Sequence, residues 1–204
     1  MFSIKEVLAE GWKETTENIG FYFQVLIIYF SIIIGGTIIL RNGGFIGQII
    51  LILIEYWLSL GILIISLKRA RGIEAKVKDL FSGSQYMLNY FIASLLYSLI
   101  VVAGLFLFII PGIVWGIKYM MYPFFIIDKN SGITESLKQS AVITKGEKFH
   151  LFKFSIIVSL ISFIGIIALF IGIFWAYPTT LIASALVYLK LNNSKFNQEG
   201  IING

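Results

Sequence analysis

Four long apolar stretches limit what this chain can fold into. Two of them, Gly20–Leu40 and Phe45–Leu67, are each long enough for one membrane-spanning helix. The other two, Asn89–Ile127 and Leu151–Leu189, are longer. As a single α-helix, each would measure about 58 Å, nearly twice the roughly 30 Å hydrocarbon core of a bilayer. Each must therefore fold back on itself, and the sequence predicts six spans.

The composition agrees with lipid as the solvent for most of the chain. Hydrophobic residues make up 58% of the sequence and charged residues 13%, whereas a soluble domain has about 25% charged residues. We therefore expect an all-α polytopic membrane protein, with residues 1–204 forming a single transmembrane domain. The predicted spans are residues about 20–40, 45–67, 89–110, 113–127, 151–171 and 173–189.

The turns inside the two longest stretches are predicted at Pro111–Gly112 and near Gly172. The fourth to sixth spans are then short, so a re-entrant hairpin that does not cross the bilayer is an alternative for them. The N-terminal segment before Gly20 carries charges of both signs and has no apolar core, so no cleavable signal is expected there.

A short amphipathic segment precedes each pair of spans. In the first, Ser3 and Glu6 form a predicted capping box at the start of a helix. The apolar residues that share a helical face are Ile4, Val7, Leu8 and Trp12 in the first segment, Ile73, Val77, Leu80 and Phe81 in the second, and Ile133, Leu137 and Ala141 in the third. The pattern predicts three hairpins, each preceded by a short cytoplasmic interfacial helix.

The distribution of basic residues predicts the orientation. Of the 16 Lys and Arg, all but Arg41 and Lys118 lie in the N-terminal segment, in the two polar linkers with their flanks, or in the C-terminal tail. Because cytoplasmic loops carry the excess of Lys and Arg, we expect both termini on the cytoplasmic side of the cell membrane.

Glu55 and Lys118 are the two ionisable residues predicted to lie within spans. Glu55 lies about 18 Å, and Lys118 about 15 Å, from the cytoplasmic end of its span. Intramembrane acids usually face the bundle interior or water and often mark an ion or substrate path. Three readings stay open: Glu55 pairs with Lys118; Glu55 lines a polar cavity or transport path; or Glu55 is protonated while Lys118 extends to an interface.

The densest basic cluster follows the second span. Its members are Lys68, Arg69, Arg71, Lys76 and Lys78. Cationic side chains beside an interfacial helix are suited to contact anionic lipid headgroups, so membrane lipids are the expected partners. Determination of topology alone is the alternative explanation for the same residues.

The sequence shows no catalytic signature. There is no Cys and only one His, His150, which excludes disulfides, thiolate metal sites and multi-histidine centres. Zinc-protease, phosphate-loop and nucleophile-elbow motifs are also absent. We therefore expect no enzyme, no cofactor or metal and no nucleic-acid partner. The leading interpretation is a non-enzymatic, lipid-interacting or accessory module; the alternative is a small transporter or permease with Glu55 in a polar intramembrane site.

Several stretches resemble a known family. They are LKRARGIEAKVKDLFSG after the second span, IIPGIVWGIKYMMYPFFIID around the fourth, ITESLKQSAVITKGEKFHLFKF before the fifth, and IGIFWAYPTTLIASALVYLKL at the last. These stretches resemble the multi-pass bacterial membrane proteins grouped with the membrane domain of glycerophosphoryl diester phosphodiesterases. The resemblance implies a six-span protein of the cytoplasmic membrane. It implies no phosphodiesterase activity for these residues, because in that family a separate fused soluble domain carries the chemistry.

Overall fold

The described chain is helical. The structure is a computed structural model that describes residues 2–167 and 171–202, with side chains over 2–167 and 172–195. Its α-helices are α1 (Ile4–Glu17), α2 (Ile19–Leu40), α3 (Gly44–Ala70), α4 (Met87–Leu107), α5 (Ile109–Tyr119), α6 (Tyr122–Lys129), α7 (Ile133–Ile143), α8 (Lys148–Ile167) and α9 (Ile171–Ile202). The predicted all-α class is confirmed for these residues.

Six stretches are long and apolar enough to cross a membrane. They are Ile19–Leu40, Gly44–Ala70, Val77–Leu107, Ile109–Lys129, Lys148–Ile167 and Gly172–Lys195. Consecutive helices contact each other in the pairs α2–α3, α4–α5 and α8–α9. The arrangement of these pairs as three hairpins across the bilayer stays a prediction, as does the interfacial position of the short helices.

The turn between α4 and α5 lies at Phe108, three residues before the predicted Pro111–Gly112. Phe108 has extended backbone angles, and Pro111 lies in the first turn of α5, where a missing N–H costs no helical hydrogen bond. Gly112 instead allows close helix packing: a Cβ on Gly104 would lie 2.8 Å from the Gly112 Cα. The predicted turn near Gly172 adjoins residues 168–170, which lie outside the described residues.

The fourth span consists of two helices, α5 and α6. Pro123 lies at the start of α6, and the break leaves backbone groups of Lys118 and Met121 without helical partners. Helix α7 supplies those partners. The Ser140 hydroxyl accepts a hydrogen bond from the Met121 N–H at 3.1 Å, and the Ser140 and Thr144 hydroxyls donate to the Lys118 carbonyl at 3.1 and 3.0 Å.

The first two amphipathic segments adopt different structures. In α1, Ser3 is the predicted N-cap and accepts from the Glu6 N–H at 3.3 Å. The second bond of the predicted capping box is not found among the described residues, and the Glu6 carboxylate pairs with Lys190 at 3.2 Å instead. The second segment forms only a five-residue 3-10 helix, Val77–Phe81. It packs so closely on α3 that a Cβ on Gly61 would lie 1.8 Å from the Leu80 carbonyl oxygen.

A hydrophobic core with an aromatic cluster around Tyr188 joins several of the helices. Tyr188 of α9 is fully buried; its ring stacks on Phe124 at 5.1 Å and meets Phe125 edge-on at the same distance. Helix α1 packs on α9, and a Cβ on Gly11 would lie 2.7 Å from the Thr179 carbonyl oxygen. The N-terminal helix is therefore part of the packed bundle.

Candidate intramembrane binding site

Glu55 lies in an open groove among α3, α4 and α6. The groove has a volume of about 430 Å³. On α3 it is lined by Ile52, Glu55, Tyr56 and Ser59, whose spacing of three and four residues places them on one helical face. Glu55 is exposed, so its side chain is accessible from the open side of the groove.

The opposite wall is a polar stripe on α4. Its members are Tyr90, Ser94, Tyr97 and Ser98, and their i, i+4, i+7, i+8 spacing again defines one helical face. From Tyr90 to Ser98 the stripe is about 12 Å long at the rise of an α-helix. Hydroxyl groups therefore line a stretch of the predicted membrane interior that apolar side chains would normally occupy.

Tyr122 of α6 packs against the α4 wall. Its hydroxyl shares a 2.7 Å hydrogen bond with the buried Ser94 hydroxyl. Its ring stacks on Tyr90 at 6.1 Å and lies 5.3 Å from that of Tyr97. The Tyr97 hydroxyl donates to the Gly116 carbonyl at 3.2 Å. This network fixes the α4–α6 side of the groove.

Glu55 and Lys118 do not form an ion pair; both are among the described residues. The Lys118 ammonium lies 4.9 Å from the centre of its neighbour Tyr119's ring, at the break of the fourth span. Over residues 2–167 and 172–195, no basic side chain forms a salt bridge with Glu55. The hydroxyls of Tyr29 and Tyr177 lie close enough to interact electrostatically with its carboxylate.

A second polar cavity, of about 290 Å³, adjoins the C-terminal end of α3. It is lined by Ile64, Leu67, Lys68, Arg71, Asp79, Ser82, Gln85, Tyr86 and Ile127. Both of its basic groups are paired: Lys68 with Asp79 at 2.8 Å, and Arg71 with Asp128. Asp128 also accepts a hydrogen bond from the Tyr188 hydroxyl at 2.8 Å. This network joins α3 and its linker to α6 and α9.

Arg69 holds the end of α3 against α1. It donates to Glu14 at 3.3 Å and to Asn18 at 3.1 Å, and its guanidinium lies 4.6 Å from the centre of the Phe21 ring. Burial raises the pKa of Glu14, the Arg69 charge opposes that shift, and the charge of Glu17 adds to it.

The five predicted headgroup ligands thus fall into two groups. Lys68, Arg69 and Arg71 form ion pairs within the protein, whereas Lys76 and Lys78 are exposed. Lipid contact by this cluster stays a prediction, and the exposed Lys76 and Lys78 are the two members best placed for it.

Glu55 can be identified from the sequence, whereas its surroundings become clear only in the structure. The α4 stripe is visible in the sequence as Tyr and Ser residues at helical spacing from Tyr90 to Ser98, a signal that an inspection limited to charged residues overlooks. Asp128 is the acid that ends the stretch IIPGIVWGIKYMMYPFFIID, and its position in the sequence does not reveal its partner. In the structure its side chain is only 9% exposed and is paired with Arg71.

The described residues contain no group of three His, Cys, Asp or Glu side chains placed to hold a metal ion. Comparison with protein families, with curated proteins and with solved structures finds no match for this chain. The resemblance to the phosphodiesterase membrane domain stays a prediction from the residues.

Proposed function

We propose that this chain is a small, non-enzymatic permease of the cytoplasmic membrane whose solute-binding site is the Glu55 groove. The observation that carries the proposal is a carboxylate without a basic partner in a groove lined by four tyrosines and three serines, within the apolar length of three candidate spans. An uncompensated acid at that depth is costly, and such residues usually serve an ion or substrate path.

The second cavity supports a path to the cytoplasmic side. Along α3 the two cavities are separated only by the segment from Leu60 to Leu63, about one helical turn. Leu60 is fully buried and packs in the same hydrophobic cluster as Tyr86, Met87 and Tyr90. A small displacement of this apolar layer would connect the groove with the cytoplasmic cavity.

The broken fourth span also supports the proposal. Transporters place their binding sites near discontinuous helices, where freed backbone groups are satisfied within the protein. Tyr122, at the start of α6, lines the groove immediately after the break. The site and the break therefore belong to the same part of the molecule.

A lipid-interacting accessory role is the second candidate, supported by the exposure of Lys76 and Lys78. Replacing both by Gln should reduce the amount of anionic lipid that co-purifies with the protein, while the reactivity of Glu55 toward carbodiimide stays unchanged. The matched control is the paired cation Lys68: Lys68→Gln should affect stability more than lipid content, because the nearly buried Asp79 loses its ion-pair partner and keeps only the bond from the Lys76 N–H.

Water access to Glu55 tests the permease proposal. The purified chain, reconstituted in vesicles, is treated with a water-soluble carbodiimide and an amine, and modification is located by peptide mass spectrometry. We expect modification at Glu55, absence of that product in Glu55→Gln, and unchanged modification of the exposed Glu74 in both proteins. If Glu55 stays unmodified while Glu74 reacts, water does not reach the groove and the permease proposal is wrong.

A further inference from the structure

The groove combines one carboxylate with several aromatic faces. The Tyr56 ring lies 5.6 Å from that of Tyr90 and 5.3 Å from that of Phe91. Tyr90 in turn stacks on Tyr122, which contacts Tyr97. Four of the chain's ten tyrosines therefore lie in one connected group beside Glu55.

This combination is selective for the chemistry of a ligand. An anion would be repelled by Glu55, since no basic side chain lines the groove. A calcium ion takes about 6–8 oxygen ligands with several carboxylates among them, whereas the groove has one acid. An organic cation, in contrast, gains from both parts of the site: the carboxylate balances its charge, and the electron-rich ring faces attract it.

The size and polarity of the groove fit the same class. Its volume of about 430 Å³ lies in the range of small-molecule sites, about 300–1,000 Å³. The exposed Ser98 hydroxyl has no hydrogen-bond partner among the side-chain bonds of the described residues, so it is available to a polar substituent of the ligand. The Ser59 hydroxyl instead interacts with the Tyr29 side chain. Ser94, which bonds Tyr90 and Tyr122, helps to hold the rings in place.

We infer that the Glu55 groove binds an organic ammonium group, held by the Glu55 carboxylate and the faces of the tyrosines that surround it. The inference rests on the proposed function and names its ligand class. The ammonium can belong to a free solute such as a quaternary amine, or to the headgroup of a choline or ethanolamine lipid that enters from the open side. The recognition chemistry is the same for both sources.

Protection of Glu55 from carbodiimide tests the inference. The full chain is reconstituted in phosphatidylglycerol vesicles, which contain no ammonium headgroup, and labelling of Glu55 is measured with increasing tetramethylammonium or choline. Sodium chloride at matched ionic strength is the salt control. We expect saturable protection by both ammonium ions and none by sodium. Protection without added cation in vesicles that contain phosphatidylethanolamine or phosphatidylcholine would identify the headgroup as the source.

The tyrosine variants separate ring contacts from other effects. Tyr56→Phe keeps the aromatic face and should keep the affinity for tetramethylammonium, whereas Tyr56→Leu should weaken it by about 2- to 30-fold, the range of a cation–π contact. Tyr97→Leu is the second variant, for use if Tyr56→Leu does not fold. Tyr119→Leu, outside the groove, is the matched control and should bind normally.

Failure of the inference differs from failure of the permease proposal. If Glu55 is labelled but neither ammonium ion nor an ammonium lipid protects it, the ligand class is wrong and the water-accessible site stands. Equal affinity of Tyr56→Leu and Tyr56→Phe, with both proteins folded, would also overturn the inference. If Glu55 is not labelled while Glu74 is, the proposed function itself fails.

Discussion

At the scale of single residues, the Asp128 carboxylate connects distant parts of the chain. It pairs with Arg71 and accepts from the Tyr188 hydroxyl at 2.8 Å, with its side chain 9% exposed. Hydrogen bonds to charged groups contribute about 1.5–3 kcal/mol. Tyr188→Phe should therefore lower the free energy of unfolding in detergent by about that amount, measured by denaturant titration.

The control for this prediction is Tyr119→Phe. The Tyr119 hydroxyl forms no hydrogen bond with the described side chains and backbone, and the replacement keeps the ring below the Lys118 ammonium. It should leave the unfolding free energy unchanged. Equal stability of Tyr188→Phe and the parent chain would mean that the Asp128–Tyr188 bond makes no net contribution.

Glu14 predicts a dependence of stability on pH. Burial raises its pKa above the usual 4.5, against the opposing effect of Arg69. Because the folded pKa exceeds the unfolded one, the stability from this group is fully present below the unfolded pKa and is lost as the pH rises through the folded pKa. The difference in unfolding free energy between the parent and Glu14→Gln should therefore fall as the pH rises from 4.5.

Denaturant titrations at several pH values from about 4 to 8 check this prediction, since the window must bracket the ordinary carboxyl pKa. Glu74→Gln, at an exposed position of the linker, should give a difference that does not vary with pH in the same way. A parent chain that gains stability over Glu14→Gln as the pH rises would show that pairing with Arg69 outweighs the cost of burial.

At the scale of helices, the sequence predicted apolar length well and local geometry less well. Hydropathy alone indicated six spans, because an apolar stretch in lipid must satisfy its backbone groups within a helix and each crossing takes about 20 residues. It missed the break between Tyr119 and Tyr122 and the shift of a turn from Pro111 to Phe108. Both depend on tertiary contacts: Ser140 and Thr144 of another helix satisfy the break, and the Gly104–Gly112 contact fixes the turn.

The candidate site illustrates the same limit. Glu55 could be predicted because a single acid in an apolar run is conspicuous. Pairing of Glu55 with Lys118 could not be decided from their depths alone, because two residues at similar depth can lie on helices that do not face each other. The structure gives Glu55 the α4 stripe as its neighbour instead, and the spacing from Tyr90 to Ser98 becomes meaningful only once α3 and α4 are known to line one groove.

The break in the fourth span yields a prediction at this scale. Met121 is 1% exposed, and its N–H has the Ser140 hydroxyl as acceptor. Ser140→Ala removes that acceptor, and leaving a buried donor unpaired costs about 1–3 kcal/mol. We expect destabilisation of this size together with faster amide hydrogen exchange in the peptide that contains Met121. Thr134→Ala, an exposed position on the same helix, should change neither; unchanged exchange in Ser140→Ala would contradict the proposed role of Ser140.

At the scale of the whole molecule, basic residues that predict the topology also connect helices through ion pairs. The ion pairs of Arg69 and Arg71 join the α3 end to α1 and to α6, so these basic residues have a structural role besides any effect on topology. The short turn at Arg41 lies at the other end of α2 and α3. If the positive-inside rule holds for this chain, the ion-paired layer lies on the cytoplasmic side and the Arg41 turn outside.

Cysteine labelling can test that orientation directly, because the chain has no native cysteine. Asn42→Cys places a thiol in the exposed turn between α2 and α3, and Lys76→Cys places one in the exposed linker after α3. In intact cells, a membrane-impermeant maleimide should label Asn42→Cys at once and Lys76→Cys only after permeabilisation. The cysteine-free parent gives the background. Labelling of Lys76→Cys alone in intact cells would show that the topology is inverted. Because α3 separates the two positions by one candidate span, labelling of both in intact cells would mean that α3 does not cross the bilayer. Only the second result would remove the depth argument on which the cost of an unpaired Glu55 depends, because in an inverted protein α3 still crosses the bilayer.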